Sequence, residues 1–197
     1  MCDGMVLLPG FADSDSVKRD IDAVVAEAPL RHMETMRGFT MSVAMTNCGA
    51  LGWVSDRRGY RYSPIDPASG LPWPQMPAGL RTLSAAAAEI AGYKGFAPDA
   101  CLINQYQPGA QMGAHQDRNE RSFAHPIVSV SIGIPARFFV IGPEKRGPSK
   151  PVDLQDGDVL VFGGEARSHY HGVRKLKPNT HPGLGAFRWN LTFRVAG

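Results

Sequence analysis

The chain predicts a mostly β fold with flanking helices, a double-stranded β-helix (jelly roll), and three features carry that expectation. Two stretches of helical periodicity, near residues 14–28 and 80–92, precede a long β-rich half. That half divides into short runs punctuated by Pro108-Gly109, Asp156-Gly157 and Gly163-Gly164, as successive strands are. Its last run alternates strictly: Phe187, Trp189, Leu191, Phe193 and Val195 take one face, and Arg188, Asn190, Thr192 and Arg194 the other. Many short strands after two helices fit a roll with the helices packed on one sheet.

Taken in order, Val6-Leu7-Leu8 before Pro9-Gly10 reads as a strand and turn. Ser14 or Ser16 is placed to cap a helix whose Val17, Ile21, Val24, Val25 and Ala28 recur at helical spacing until Pro29. From Phe39 to Thr46, Met41, Val43 and Met45 alternate with Thr40, Ser42 and Ala44, a strand pattern. Trp53, Tyr60 and Tyr62 follow, interleaved with Arg57, Arg58 and Arg61. Rings stack on bases and cations meet phosphates, so this mixture suits single-strand or flipped-base recognition; a hydrophobic strand pair with a basic turn fits it equally. Five prolines between Ser63 and Gly79 impose an irregular connection. Leu80, Leu83, Ala87 and Ile90 then mark a second helix ending near Gly92. Further strands are expected over 100–106, 111–117, 127–134, 137–141, 158–162, 169–173 and 186–195.

At 197 residues, 43% hydrophobic and 20% charged, with no internal repeat or low-complexity linker, the chain reads as a single domain, 1–197, able to bury a sizeable core. A net charge of +3 is compatible with a polyanionic partner without requiring one. Cys2, Cys48 and Cys101 are widely separated and form no CxxC, which argues against a zinc ribbon or a disulfide framework. No apolar run approaches membrane-spanning length, and a cytoplasmic, monomeric protein without membrane contact is expected.

Chemistry concentrates around His115-Gln116-Asp117. On a strand, the two-residue period would place His115 and Asp117 on one face and turn Gln116 away. A third ligand from the distant Tyr170-His171-Gly172 would complete a 2-His-1-carboxylate triad, a geometry suited to non-haem Fe(II) with open coordination positions. His169 shares a face with His171, so spacing alone does not choose between them. The polar face of the terminal run holds two guanidiniums, whose backbones sit about 20 Å apart on a strand and whose planar forks match carboxylates. Asn104 and Tyr106 likewise share a face. An iron triad beside a dicarboxylate pocket suggests a 2-oxoglutarate oxygenase.

HQD, YHG and RWNLTFR, together with TMSVAMTNCG, LGW, YSPIDP, PWPQMP, PDACLIN, PIVSVSIG and GDVLVFGGEAR, resemble the AlkB family of Fe(II)/2-oxoglutarate-dependent nucleic-acid demethylases from about Val6 to Ala196. The resemblance implies a jelly-roll core over roughly 100–195 and a nucleotide-recognition lid over roughly 39–79. It assigns iron to His115, Asp117 and His171. For the co-substrate it implies that Arg188, helped by Tyr106 and Asn190, pairs with the distal carboxylate, while Asn104 and Arg194 hold the end nearer the metal. Trp53, Tyr60 and Tyr62 fall on its substrate-contacting positions. Asn119 stands where the family's bacterial member carries an aspartate near the base, and Lys145, or else Arg146, falls on a substrate-contacting arginine. The implied activity is oxidative demethylation of N1-methyladenine and N3-methylcytosine in DNA, and in RNA, releasing formaldehyde and succinate. Two other readings are a same-fold oxygenase acting on modified tRNA or a small molecule, and a cupin-like metal-binding protein without oxygen chemistry.

Overall fold

The computed structural model describes residues 3–197, so Cys2 lies outside the described residues. The alternating C-terminal run forms β13 (Arg188–Arg194), and both of its faces are buried. A strand buried on both faces belongs inside a sheet, and β13 lies between β8 (Ile127–Gly133) and β6 (Ala100–Tyr106). The sheet extends from β8 through β11 (Val159–Phe162) to β1 (Met5–Leu8). On the other side it continues from β6 through β3 (Thr40–Gly49) to β2 (Arg31–Glu34), giving seven strands in all.

Trp189, Leu191 and Phe193 point from β13 toward two helices, α1 (Ser14–Glu27) and α2 (Ala78–Ile90), whose Val17, Ile21, Leu80 and Ala87 close that core. Each such large apolar side chain contributes about 1.5–3 kcal/mol on burial. Helix α1 is capped by Asp13, whose carboxylate accepts from the Ser16 amide at 2.7 Å, instead of by Ser14 or Ser16. Ser14 donates to Asp156 at 2.8 Å, tying the helix start to a distant turn. Ile90, expected on the apolar stripe of α2, is exposed at the helix end.

The opposite face of the large sheet meets a four-stranded sheet ordered β10 (Lys150–Leu154), β9 (Ala136–Ile141), β12 (Tyr170–Val173) and β7 (Met112–His115). Phe138, Val140, Leu160 and Phe162 fill the space between the sheets. A separate hairpin, β4 (Gly52–Asp56) and β5 (Gly59–Ser63), pairs Trp53 with Tyr62 and Ser55 with Tyr60. The aromatic stretch is thus a strand pair with a basic turn, placed beside the mouth of the roll. Among the described residues, no helix is long and apolar enough to cross a membrane.

Candidate active site

Strand β12 carries His171 directly opposite His115 of β7, and that register brings two histidines 56 positions apart in sequence face to face. Gly172 makes the approach possible: a Cβ there would lie 2.6 Å from the Met112 carbonyl oxygen and 2.7 Å from the Phe139 ring. The β7 strand stops at His115, so Asp117 does not share a strand face with it as the spacing suggested. It reaches the same point from the loop beyond. Its carboxylate lies 3.7 Å from His115 Nε2 and 3.7 Å from His171 Nε2, and the three ligand atoms fall within 4.8 Å of one another.

Both imidazoles are oriented from behind. His115 Nδ1 lies 2.9 Å from the Gly113 carbonyl and His171 Nδ1 lies 3.2 Å from the His169 carbonyl. A carbonyl only accepts, so each Nδ1 carries the proton and each Nε2 offers its lone pair inward. Phe138 and Phe162 pack on the His171 ring at 5.5 and 5.2 Å between centroids. Burial lowers the His171 pKa to about 4 against the opposing pull of Asp117, so the imidazole is neutral and ready for a metal at pH 7. His169 contributes only its backbone carbonyl, while the His171 imidazole faces Asp117.

Burial by itself would raise the Asp117 carboxyl, but Arg194, then His171 and His115, outweigh it and hold the group well below the usual carboxylate range. Arg194 Nη2 donates to Asp117 at 3.0 Å, while its Nε lies 3.2 Å from Glu120. Glu120 also meets buried Arg167 at 3.3 Å and accepts from the Tyr62 hydroxyl at 2.7 Å. Four charges thereby neutralise one another beneath the triad. Sequence reasoning assigned no role to Glu120 or Arg167. Arg167 stands inside a motif that carried the resemblance, but the pairing is a tertiary contact between residues 47 positions apart and leaves no periodic trace.

Arg188 is different. It is 1% exposed and has no carboxylate partner among the described residues; Nη2 donates to Ser131 Oγ at 2.9 Å and the guanidinium lies 4.9 Å from the Tyr106 ring centroid. Its Nε and Nη1, like Asn104 Oδ1, are buried without hydrogen-bond partners. Burial pulls this guanidinium's pKa down, with Tyr106 opposing. A buried, half-satisfied cation at the end of a slot that opens toward the triad fits an anionic ligand reaching in from the metal. The slot, a cavity of about 60 Å³, is lined by Asn104, Tyr106, Arg188, Asn190 and Arg194 as well as by the triad. Asn190 spends its amide on Ser129 Oγ at 2.8 Å and the Val130 carbonyl at 3.0 Å, so it contributes mainly by fixing the wall. The metal set and the diacid set of residues thus fit Fe(II) and 2-oxoglutarate on their own chemistry.

Outside the slot lies a wider cleft of about 450 Å³, walled by Met41, Met45, Trp53, Tyr60, His115 and Asn119. Trp53 and Tyr60 are stacked, with ring centroids 5.5 Å apart. Tyr62 is turned away from the cleft and onto Glu120. Lys145 lies on the β9–β10 loop over the Tyr170 ring, in a left-handed backbone conformation, and does not line the cleft.

A jelly roll that holds two histidines and a carboxylate beside an unpaired buried arginine defines a metal-dependent oxygenase with a diacid co-substrate. Residues 4–194 match the 2OG-Fe(II) oxygenase superfamily. The chain is 51% identical over 196 residues to the alpha-ketoglutarate-dependent dioxygenase AlkB of Escherichia coli, covering 98% of this chain and 91% of that protein. It is 41% identical over 199 residues to the AlkB homolog of Caulobacter vibrioides, covering 98% and 88%. The solved structure of OsALKBH1 superposes with a TM-score of 0.86 at 28% identity, covering 98% of this chain and 97% of that one. The chain belongs to the AlkB family of the 2OG-Fe(II) oxygenase superfamily, and is an Fe(II)/2-oxoglutarate-dependent dioxygenase.

Proposed function

We propose that the chain removes N-linked methyl groups, as in N1-methyladenine and N3-methylcytosine, from bases in DNA and RNA, and so repairs alkylation damage by direct reversal. The single observation that carries this reading is that the stacked Trp53–Tyr60 pair lines the same cleft as His115 and Asp117. A flat base extruded from its stack is the ligand that such a wall accepts. His115, Asp117 and His171 are proposed to hold iron.

Iron and 2-oxoglutarate, when bound, supply oxidation of the N-methyl carbon by O2, with the oxoacid leaving as succinate and CO2. The protein's part is to bind and orient. Arg188 anchors the distal carboxylate, with Tyr106 beside it. Asn104, through a rotated amide that turns its Nδ2 into the slot, and Arg194 border the end nearer the metal. Phe138, Phe162 and Met112 keep water from the slot. Trp53 and Tyr60 hold the base so that its methyl group faces the triad. The resulting N-hydroxymethyl group loses formaldehyde and restores the N–H or the free ring nitrogen. Asn119 serves the substrate side through its contacts with Trp53 and Tyr60, and Lys145 is assigned to phosphate at the rim. The recognition lid lies within residues 39–79 and the catalytic core within 100–195 of a single domain.

We further place the protein in the cytoplasm as a monomer. Cys48 and Cys101 face each other across β3 and β6 as free thiols, which suits a reducing compartment. A half-satisfied Arg188 also disfavours a plain metal cage, which needs no diacid anchor.

The test is a panel of methylated single-stranded and duplex oligonucleotides assayed for base restoration and formaldehyde, with free methylated nucleosides alongside. Restoration in the oligonucleotides supports the reading. Turnover of the nucleosides alone would point to a small-molecule oxygenase and overturn it.

A further inference from the structure

Two residues beyond the proposed metal ligand Asp117, the side chain of Asn119 makes a pair of contacts that an aspartate could not reproduce. Its Oδ1 accepts from Trp53 Nε1 at 3.2 Å, and its Nδ2 donates to the Tyr60 carbonyl at 3.3 Å. The partners fix the amide's orientation, because an indole N–H only donates and a carbonyl only accepts. Trp53 and Tyr60 stand on the two different strands of the β4–β5 hairpin, so a single amide bridges both. The next residue, Glu120, accepts from the Tyr62 hydroxyl at 2.7 Å and is itself held by Arg167 and Arg194. Three hydrogen bonds from consecutive residues therefore tie the hairpin's three aromatic residues to the loop that carries Asp117.

We infer that Asn119 and Tyr62 are positioning residues that latch the aromatic hairpin onto the metal-ligand loop, and that Asn119 sets the spacing of the base cleft instead of reading the base directly. This rests on the reading of the cleft as a base site. The hairpin forms its own two-stranded sheet, and β4 is anchored from behind: the Trp53 backbone exchanges hydrogen bonds with the Asn47 side chain at 2.9 and 3.0 Å, and Ser55 donates to the Glu34 carbonyl. The Ser63 carbonyl at the end of β5 accepts from Trp73 Nε1 at 2.9 Å, so between Gly59 and Tyr62 the side-chain hydrogen bonds that leave the hairpin are those to Asn119 and Glu120. The hairpin's turn carries Arg57 and Arg58, whose side chains are 82% and 75% exposed. Held in place, Trp53 and Tyr60 present fixed stacking faces in the cleft that His115 also lines. Released, they would have to be ordered again with each base bound, and that cost falls on binding and not on the chemical step.

Asn119→Asp separates latch from base contact. A carboxylate keeps the acceptor for Trp53 but sets an oxygen without a hydrogen against the Tyr60 carbonyl, breaking half of the bridge. If Asn119 reads a cationic base, the added negative charge lowers KM for an N3-methylcytosine oligonucleotide. If it latches the hairpin, KM rises about five- to tenfold, the worth of about one hydrogen bond, while kcat at saturation changes less than about twofold. Hydrogen exchange of residues 52–63, measured on the Mn(II)- and 2-oxoglutarate-loaded protein without nucleic acid, is expected to quicken about tenfold, with β13 unchanged. Tyr62→Phe, which deletes one hydroxyl, is expected to quicken exchange in the same hairpin. Unchanged hairpin exchange in both variants, or a lower KM in Asn119→Asp, would overturn the latch. The exchange measurement needs no turnover, so its outcome stands even if methylated oligonucleotides prove not to be substrates.

Discussion

Replacing Arg188 by Met should make the empty protein more stable and leave it unable to hold its co-substrate. The guanidinium is 1% exposed, and its Nε and Nη1 have no partners. Removing it forfeits a hydrogen bond to Ser131, about 1.5–3 kcal/mol for a charged donor, and a cation–π contact of about 1–2 kcal/mol with Tyr106. Against this stands the desolvation of an unpaired ion, several kcal/mol even after relaxation. The balance is a net gain of about 1–2 kcal/mol, or a rise in Tm of about 2–8 °C for a chain of this length. The loss appears on binding. A buried guanidinium–carboxylate pair broken at one partner costs about 3–5 kcal/mol, so 2-oxoglutarate affinity should fall by between about two and four orders of magnitude. Urea unfolding of the metal-free protein and equilibrium binding of 2-oxoglutarate to the Mn(II)-loaded protein measure the two effects separately. Destabilisation by several kcal/mol, or unchanged co-substrate affinity, would refute the view that Arg188 is kept for an external anion.

Asp117→Ala should abolish turnover and metal retention while costing about 1–3 kcal/mol, less than a fully broken pair, because Arg194 retains Glu120 at 3.2 Å; metal content after dialysis and urea midpoints check both. Gly172→Ala should push β12 from β7, since its Cβ would lie 2.6 Å from the Met112 carbonyl oxygen, and a metal affinity at least tenfold weaker is expected in a titration, with a stability loss of about 1–3 kcal/mol. In the metal-free protein, the unfolded chain protonates His171 below its ordinary value of 6.5, whereas the native chain resists until about 4. The unfolded state binds more protons in that window, so this residue makes stability increase with pH between 4 and 6.5, by up to about 1.4 kcal/mol per unit, with no contribution to the slope above it. The same urea series on His171→Gln should lose that part of the slope; an identical slope would show that the imidazole titrates normally.

The terminal run was legible because its two faces differ in chemistry as well as polarity: apolar residues meet the helices, while Arg188, Asn190 and Arg194 line the slot. Strand β6 was equally clear, from Ala100 to Tyr106. By contrast, β2 and β10, Arg31-His32-Met33-Glu34 and Lys150-Pro151-Val152-Asp153-Leu154, are edge strands rich in charge, with too few apolar positions for a period to show. The triad's members were identifiable, but the way they meet was not. Asp117 arrives from a loop, and cross-strand register sets His171 opposite His115, a long-range relation that local spacing does not encode. For the same reason the Glu120–Arg167 pair and the turn of Tyr62 away from the cleft emerged only with the folded chain.

Binding under anaerobic conditions tests the central claim most directly, with the Fe(II)-loaded protein titrated in parallel with 2-oxoglutarate and with 2-oxopentanoate, which keeps the chelating oxoacid end but lacks the distal carboxylate. The account predicts one 2-oxoglutarate per iron and at least about hundredfold weaker binding of the monoacid, with the gap closing in Arg188→Met. Equal affinity of the wild-type protein for the two acids would contradict it.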